Sequence, residues 1–239
     1  MRKYYKHIKI GLLLFLVAFL FAFSSLRNSN RIIGDPNISF LGEENLFVSH
    51  EAVSKLLIVN QGNIADKPKE IIDLNGLESA LNSSPMIKEA QVYISVDGQL
   101  NAEIRQRKPI ARVSTNASYY VDSDGAYMPL STNYTARVPL VTGYVEKNDL
   151  HNIAVVASKV REDDFLSKNV VGIHQNEDGS LDFKMRNEDF VVQLGTIKKL
   201  DKKINNLKAF YQKAIKDSML KKYSVVNLRF DKQVICTKK

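Results

Sequence analysis

The feature that most limits what this chain can become lies near its start. Residues Ile10 to Phe23 read IGLLLFLVAFLFAF, fourteen apolar positions without a charge, and Ser24, Ser25 and Leu26 extend the stretch to seventeen before Arg27. At about 1.5 Å of rise per residue, that is near the lower limit of about 17 residues for a membrane-spanning helix. Ile8 can add to it, because Lys9 can snorkel its ammonium toward the headgroups. Arg2, Lys3, Lys6 and Lys9 all precede the run. Under the positive-inside rule they hold the N-terminus in the cytoplasm, and Arg27 and Arg31 beyond the run weaken that bias without reversing it. A cleaved signal peptide fits the same run, since its length suits a signal h-region and Ala22-Phe23-Ser24 is a tolerable small-x-small site. A soluble core helix does not, because nothing on the segment forms a polar face. On either surviving reading, everything after about residue 28 lies outside the cytoplasm.

That placement decides how the charge is read. The 239 residues carry 34 Lys and Arg against 26 Asp and Glu, a net +8 that invites a polyanionic partner. Divided along the chain, residues 1–31 carry +6, residues 32–197 carry −8 and residues 198–239 carry +10. The first block belongs largely to membrane orientation. The last includes a basic stretch, Lys198–Lys222, in which Lys alternates with Phe210 and Tyr211. Its lysines mostly take the positions left over by an apolar stripe, as on any exposed helix. Outside the cytoplasm, nucleic acid and nucleotide cofactors are scarce, and an anionic membrane surface or an acidic partner is the available counter-charge. Cys236 is the only cysteine, so it forms no intramolecular disulfide and reads as a small hydrophobe at a strand end.

From Ile38 onward the chain reads as short alternating strands with helical interruptions. Asp97-Gly98, Asp124-Gly125 and Asp178-Gly179 stand between apolar runs, and each dipeptide suits a tight hairpin, so antiparallel pairing is expected. The first unit has the order β-α-α-β-β. Ile38 and Phe40 alternate in a strand, and Ser49 caps a helix to about Leu57. A second helix starts at Asn75, in a capping-box-like arrangement with Glu78, and turns Leu77 and Leu81 to one face. Two strands then flank the Asp97-Gly98 turn. A second unit starts near Pro109, with strands expected at 110–113, 119–121, 126–128, 138–141, 170–174, 181–185 and 190–194. A helix over about 150–160 turns Leu150, Ile153, Ala154, Ala157 and Val160 to one side. A second amphipathic helix within 198–222 carries Leu200, Ile204, Leu207, Tyr211 and Ile215. Strands over 224–230 and 234–237, joined at Asp231-Lys232-Gln233, complete the chain.

Catalytic constellations are missing from this pattern. His7, His50, His151 and His174 are scattered without metal-ligand spacing. Glu162, Asp163 and Asp164 sit at a helix end and read as a solvated charge run. There is no G-x-S-x-G elbow, phosphate-binding loop or dinucleotide turn. No catalytic residue, metal ligand or cofactor is expected.

Several longer segments resemble one family. MIKEAQVYISVDGQLNAEIRQRKPIARV is similar to the closing hairpin of a POTRA domain leading into the Q-R-x-P exit of the bacterial cell-division family FtsQ, also called DivIB; here the exit is Gln106-Arg107-Lys108-Pro109. In YYVDSDGAYMPL, Asp122 and Gly125 take the family's D-x-x-G. VPLVTG, VVQLG before the long helix and VVNLRFDKQVICTK at the end come in the family's order, and ARVPLVTG looks like its Bacteroidetes branch. The resemblance covers about residues 8–237.

That resemblance implies an α+β fold: a cytoplasmic tail at 1–8, a retained transmembrane anchor at 9–27, a POTRA domain at 35–107 and a mixed β-rich domain with two amphipathic helices at 108–237. The function it implies is a non-enzymatic scaffold of the division septum in the cell inner membrane, with the bulk of the chain periplasmic. Such a scaffold would bind the FtsB/DivIC and FtsL pair through its last strands by β-augmentation, and other divisome proteins through the POTRA domain. Asn227, Leu228, Arg229 and Phe230 match the family's D-L-R-Y strand and, with Gln233 and Val234, form the expected partner edge. Lys232-Gln233 replaces the family's small residues there. Two other readings compete: a POTRA-bearing envelope secretion or assembly factor, for which the roughly 130 residues after Arg107 cannot supply a large barrel, and an exported hydrolase, for which no nucleophile can be named.

Overall fold

A computed structural model describes residues 2–29, 34–43, 45–61, 71–230 and 233–239. Arg31 and the expected Asp231-Lys232 turn lie outside the described residues. The apolar run forms helix α1 (Arg2–Ser29), and its stretch Ile8–Leu26 has 19 residues that bury nothing against the protein. At about 1.5 Å per residue this reaches roughly 28 Å, close to the hydrocarbon thickness of a bilayer. An apolar helix whose leucines and phenylalanines stand exposed is unfavourable in water, and it fits a single membrane span. The chain divides into two compact units, residues 1–106 and 107–239.

Beyond α1, the first unit runs β1 (Asn37–Phe40), α2 (His50–Gln61), α3 (Leu74–Asn82), β2 (Ile87–Ile94) and β3 (Leu100–Gln106). This is the expected β-α-α-β-β order. The sheet order is β1-β3-β2, with β1 parallel and β2 antiparallel to the central β3. Leu100, Ala102 and Ile104 alternate inward from β3 and, like Val53, Leu57, Leu77 and Leu81 of the helices, are 0% exposed. Ser49 caps α2 as expected, its Oγ accepting from Ala52 N–H at 3.2 Å, but the helix runs on to Gln61. The start of α3 differs from expectation. Its cap is Asp73, whose Oδ1 accepts from Gly76 N–H at 2.9 Å. Glu78 is drawn away to Val92 N–H of β2, and Asn82 bonds both the N–H and the C=O of Ala90. These two side chains occupy backbone groups on the outer edge of β2 and so close it to strand addition.

The second unit contains β4 (Pro109–Ser114), β5 (Ser118–Asp122), β6 (Tyr127–Met128), β7 (Leu140–Gly143), α4 (His151–Glu162), α5 (Asp164–Asn169), β8 (Val170–Gln175), β9 (Leu181–Met185), β10 (Val191–Gly195), α6 (Leu200–Lys216), β11 (Tyr223–Asn227) and β12 (Ile235–Lys238). Among the described residues, these nine strands form one sheet in the order β12-β11-β10-β9-β8-β7-β4-β5-β6. Pairing is antiparallel across the Asp-Gly turns. It becomes parallel for β4/β7, β7/β8 and β10/β11, where helices or further strands intervene in sequence.

All three Asp-Gly turns have one construction. Ser95, Asp122 and Asn176 donate N–H to the carbonyls of Gln99, Ala126 and Ser180, and their own carbonyls accept from Gly98, Gly125 and Gly179. Only the glycine of each pair has positive φ (89°, 76° and 75°). These are three-residue loops with a left-handed glycine, not two-residue turns.

Helices α4, α5 and α6 share one face of the sheet. Ile153, Ala154, Val156, Ala157 and Val160 of α4 and Ile204 and Leu207 of α6 enter a single core with Val113, Ile173, Phe183, Val192 and Val226. The α6 stripe departs from expectation at two points. Ile215 is 54% exposed while Ala214 is buried, and Lys203 is buried with its Nζ donating to the carbonyls of Leu194 (2.9 Å) and Thr196 (2.6 Å). The acidic run also divides. Asp163 caps α5, accepting from Phe165 and Leu166 N–H, and pairs with Lys208, so it is a built-in carboxylate and not a solvated charge.

Candidate partner-binding edge

A sheet offers strand addition only where a strand has one neighbour. Strand β11 has two, β10 in parallel and β12 antiparallel, with Asn227 opposite both Gln193 and Ile235. Among the described residues, strand β12 pairs with β11 alone, so Ile235, Cys236, Thr237 and Lys238 present the open edge at this end of the sheet. The opposite end is β6, of two residues, too short to template much pairing. Ile235 is 41% exposed. Lys239 Nζ holds Asp189 Oδ2 at 2.9 Å, and Ser224 Oγ donates to the carbonyls of Thr237 and Lys238, which ties β12 to the sheet at its C-terminal end.

The six residues expected at the edge take different places. The expected strand over 224–230 stops at Asn227, because the chain turns there: Asn227 Oδ1 accepts from Arg229 N–H at 2.9 Å. Leu228 is 1% exposed and donates its N–H to Gln193 O at 2.9 Å, so it belongs to the core. Arg229 leans across β9 and β10. Its Nη2 donates to Ser180 Oγ at 3.3 Å and lies 3.9 Å from Asp182 Oδ1. Its aliphatic stem crosses Gly195, where an added Cβ would stand 2.9 Å from Arg229 Cγ. Phe230 is 48% exposed and Gln233 is exposed, and these two flank the undescribed pair 231–232. Val234 is half-buried against the core. Sequence reasoning left Ile235, Cys236, Thr237 and Lys238 out of the edge. The alternation over 234–237 marked a strand, but only the strand order shows that this strand has an unpaired side.

The surroundings are polar. Asp178, hydrogen-bonded by the Ser180 hydroxyl and N–H and close to Arg229, is held below the usual carboxylate range. Asp182 Oδ2 accepts from Asn176 Nδ2 at 3.2 Å, while its buried Oδ1 has no hydrogen bond. His174 Nδ1 lies 3.0 Å from Thr142 Oγ1; His50 stands edge-on to Phe40; His151 begins α4. Among the described residues, no three His, Cys, Asp or Glu converge as metal ligands. The aromatic residues of the basic helix point into the protein. Phe210 packs on Phe190 and Tyr223, and Tyr211 packs on Phe165, so they are not displayed for stacking on bases.

Comparison with known families gives two matches. Residues 42–105 match the POTRA-like domain, and residues 108–237 match the FtsQ/DivIB, C-terminal related family. No curated protein matches the chain. FtsQ/DivIB proteins are non-enzymatic scaffolds of division-site membranes, and the second match spans more than half of the 239 residues. With a POTRA-like unit ahead of it and one apolar N-terminal helix, the chain belongs to the FtsQ/DivIB family of division proteins.

Proposed function

We propose that this protein is a scaffold of the division septum, anchored in the inner membrane with its N-terminus cytoplasmic and its POTRA (35–107) and β (108–237) domains periplasmic. It captures an FtsB/DivIC-like and FtsL-like pair by accepting a partner strand against β12, and it meets other divisome proteins through the POTRA domain. The observation that carries this reading is the unpaired outer side of β12, since unsatisfied N–H and C=O groups along an edge are a template for another chain. Phe230, Gln233 and Val234 lead into that edge and supply side-chain choice. Asn227, Leu228 and Arg229 set the turn that delivers them. The +10 carried by residues 198–239 favours an acidic partner strand.

The test is capture of the FtsB-like partner by the full chain in detergent. Proline placed in turn at Ile235, Cys236, Thr237 and Lys238 removes one N–H at a time, and the alternate positions whose N–H faces outward lose capture while folding is retained. Phe230→Ala and Arg229→Glu weaken capture, and added salt weakens it further. Unchanged capture by all of these variants rejects the edge. A fluorescent fusion gathers at midcell, whereas uniform envelope labelling rejects the septal role in favour of a secretion or assembly factor.

A further inference from the structure

Three arginines from three separate elements meet around one recess of the second unit. Arg137 lies on the segment before β7, Arg161 in the last turn of α4 and Arg186 directly after β9; with Ser167 of α5 they line a recess of about 390 Å³. Its floor is apolar, with Ile110, Val160 and Val170 buried beneath it. All three arginines are exposed. Among the described residues, Arg137 and Arg161 have no ion pair or side-chain hydrogen bond. Arg186 is held only by its Nε, which donates to the backbone carbonyl of Lys168 at 2.9 Å.

Elsewhere in the unit Arg107 pairs with Asp122, Lys159 with Asp201 and Lys208 with Asp163, whereas among the described residues none of these three guanidiniums has a carboxylate partner. Arg161 alone is explained by the negative end of the α4 dipole. That account does not reach Arg137 or Arg186. Guanidinium forks match carboxylates in paired hydrogen bonds, and the apolar floor asks for a hydrocarbon side chain between them. A free anion or a headgroup phosphate would leave that floor unused.

We propose that the recess lined by Arg137, Arg161 and Arg186 docks a short acidic peptide segment of a partner protein, carrying one bulky apolar residue flanked by carboxylates. None of its lining residues belongs to β11 or β12, so it is a second surface, independent of the β12 edge.

The experiment uses the full chain in phosphatidylcholine nanodiscs and a fluorescein-labelled EELFEE peptide, with QQLFQQ as the uncharged control, read by anisotropy. EELFEE binds more tightly than QQLFQQ, and the double variant Arg137→Glu/Arg161→Glu weakens it by about tenfold or more. Proline variants of β12 leave it unchanged. Both arginines are exposed, and Arg137→Gln/Arg161→Gln provides a milder pair should charge reversal disturb folding. Equal binding of the two peptides, or equal binding of EELFEE by the parent chain and both double variants, overturns the proposal. Loss of co-sedimentation with phosphatidylglycerol vesicles in variants whose peptide binding is unchanged overturns it in favour of a membrane surface.

Discussion

Arg107 and Asp122 form an ion pair of 2.6 Å, in which the Asp122 side chain is 3% and the Arg107 side chain 21% exposed. Asp122 also stabilises the turn after it, its Oδ1 accepting from the N–H groups of Asp124 and Ala126 at 3.0 and 2.8 Å. The two residues come from the Q-R-x-P and D-x-x-G segments, so one contact gives both motifs a physical reason. Asp122→Ala leaves a half-buried guanidinium uncompensated and the turn unsupported. A loss of about 3 kcal/mol is expected in denaturant unfolding, with Asp122→Asn less costly because it retains an acceptor for the turn. A change below about 0.5 kcal/mol in Asp122→Ala would show the pair to be incidental.

Gln106, one residue earlier, is 4% exposed. Its Oε1 accepts from Phe47 and Val48 N–H, and its Nε2 donates to Val48 O. It therefore fastens the approach to α2 onto the end of β3. Gln106→Leu keeps the volume but strands three buried backbone groups, and about 2–4 kcal/mol is expected to go from the first unit. Hydrogen exchange at Phe47 and Val48 reports it, and protection equal to that of the parent chain would refute it.

Asp163 supplies a pH dependence. Burial pushes its pKa up, but the Lys208 ammonium and the N–H groups of Leu166 and Phe165 outweigh this and hold it below the usual carboxylate range. Its folded pKa is depressed, so its contribution is complete above the unfolded value of about 3.9 and drains away as pH falls through the lower folded value. Acid unfolding of Asp163→Asn should show a shallower fall in stability below about pH 4. Superimposable acid profiles for the parent and Asp163→Asn would remove Asp163 from the account.

Gly195 links folding to the candidate edge. Its φ is +74° and Arg229 crosses it within 2.9 Å of a notional Cβ. Gly195→Ala strains the backbone by about 1 kcal/mol and displaces the Arg229 stem from β10. Partner capture should then fall as it does in Arg229→Glu, and a variant that loses stability yet captures normally would separate Arg229 from the site.

Local chemistry was enough for much of this fold. The membrane helix comes from an uncharged apolar run, the three hairpins from Asp-Gly pairs that supply a left-handed glycine, and the helices from stripes such as Leu77/Leu81 and Ile204/Leu207. Each depends on residues within a few positions of one another. Where the outcome turned on distant partners, the sequence pattern pointed elsewhere: Glu78 leaves its helix cap for the backbone of β2, Lys203 turns inward to two carbonyls at the end of β10, and Asp163 finds Lys208.

The candidate edge is the clearest division between the two. Alternation marks a strand near residue 235 and says nothing of what lies on either side of it, because a central strand and an edge strand have the same side-chain period. The sequence by itself determined that the chain carries one apolar helix of membrane-spanning length, and that a β-α-α-β-β unit and then a β-rich one come after it. Tertiary structure decided that β11 is enclosed, that β12 alone is open at that end, and that Arg137, Arg161 and Arg186 share one recess. Those are consequences of strand order and chain crossing, set by the packing of a whole core and by no local run of residues.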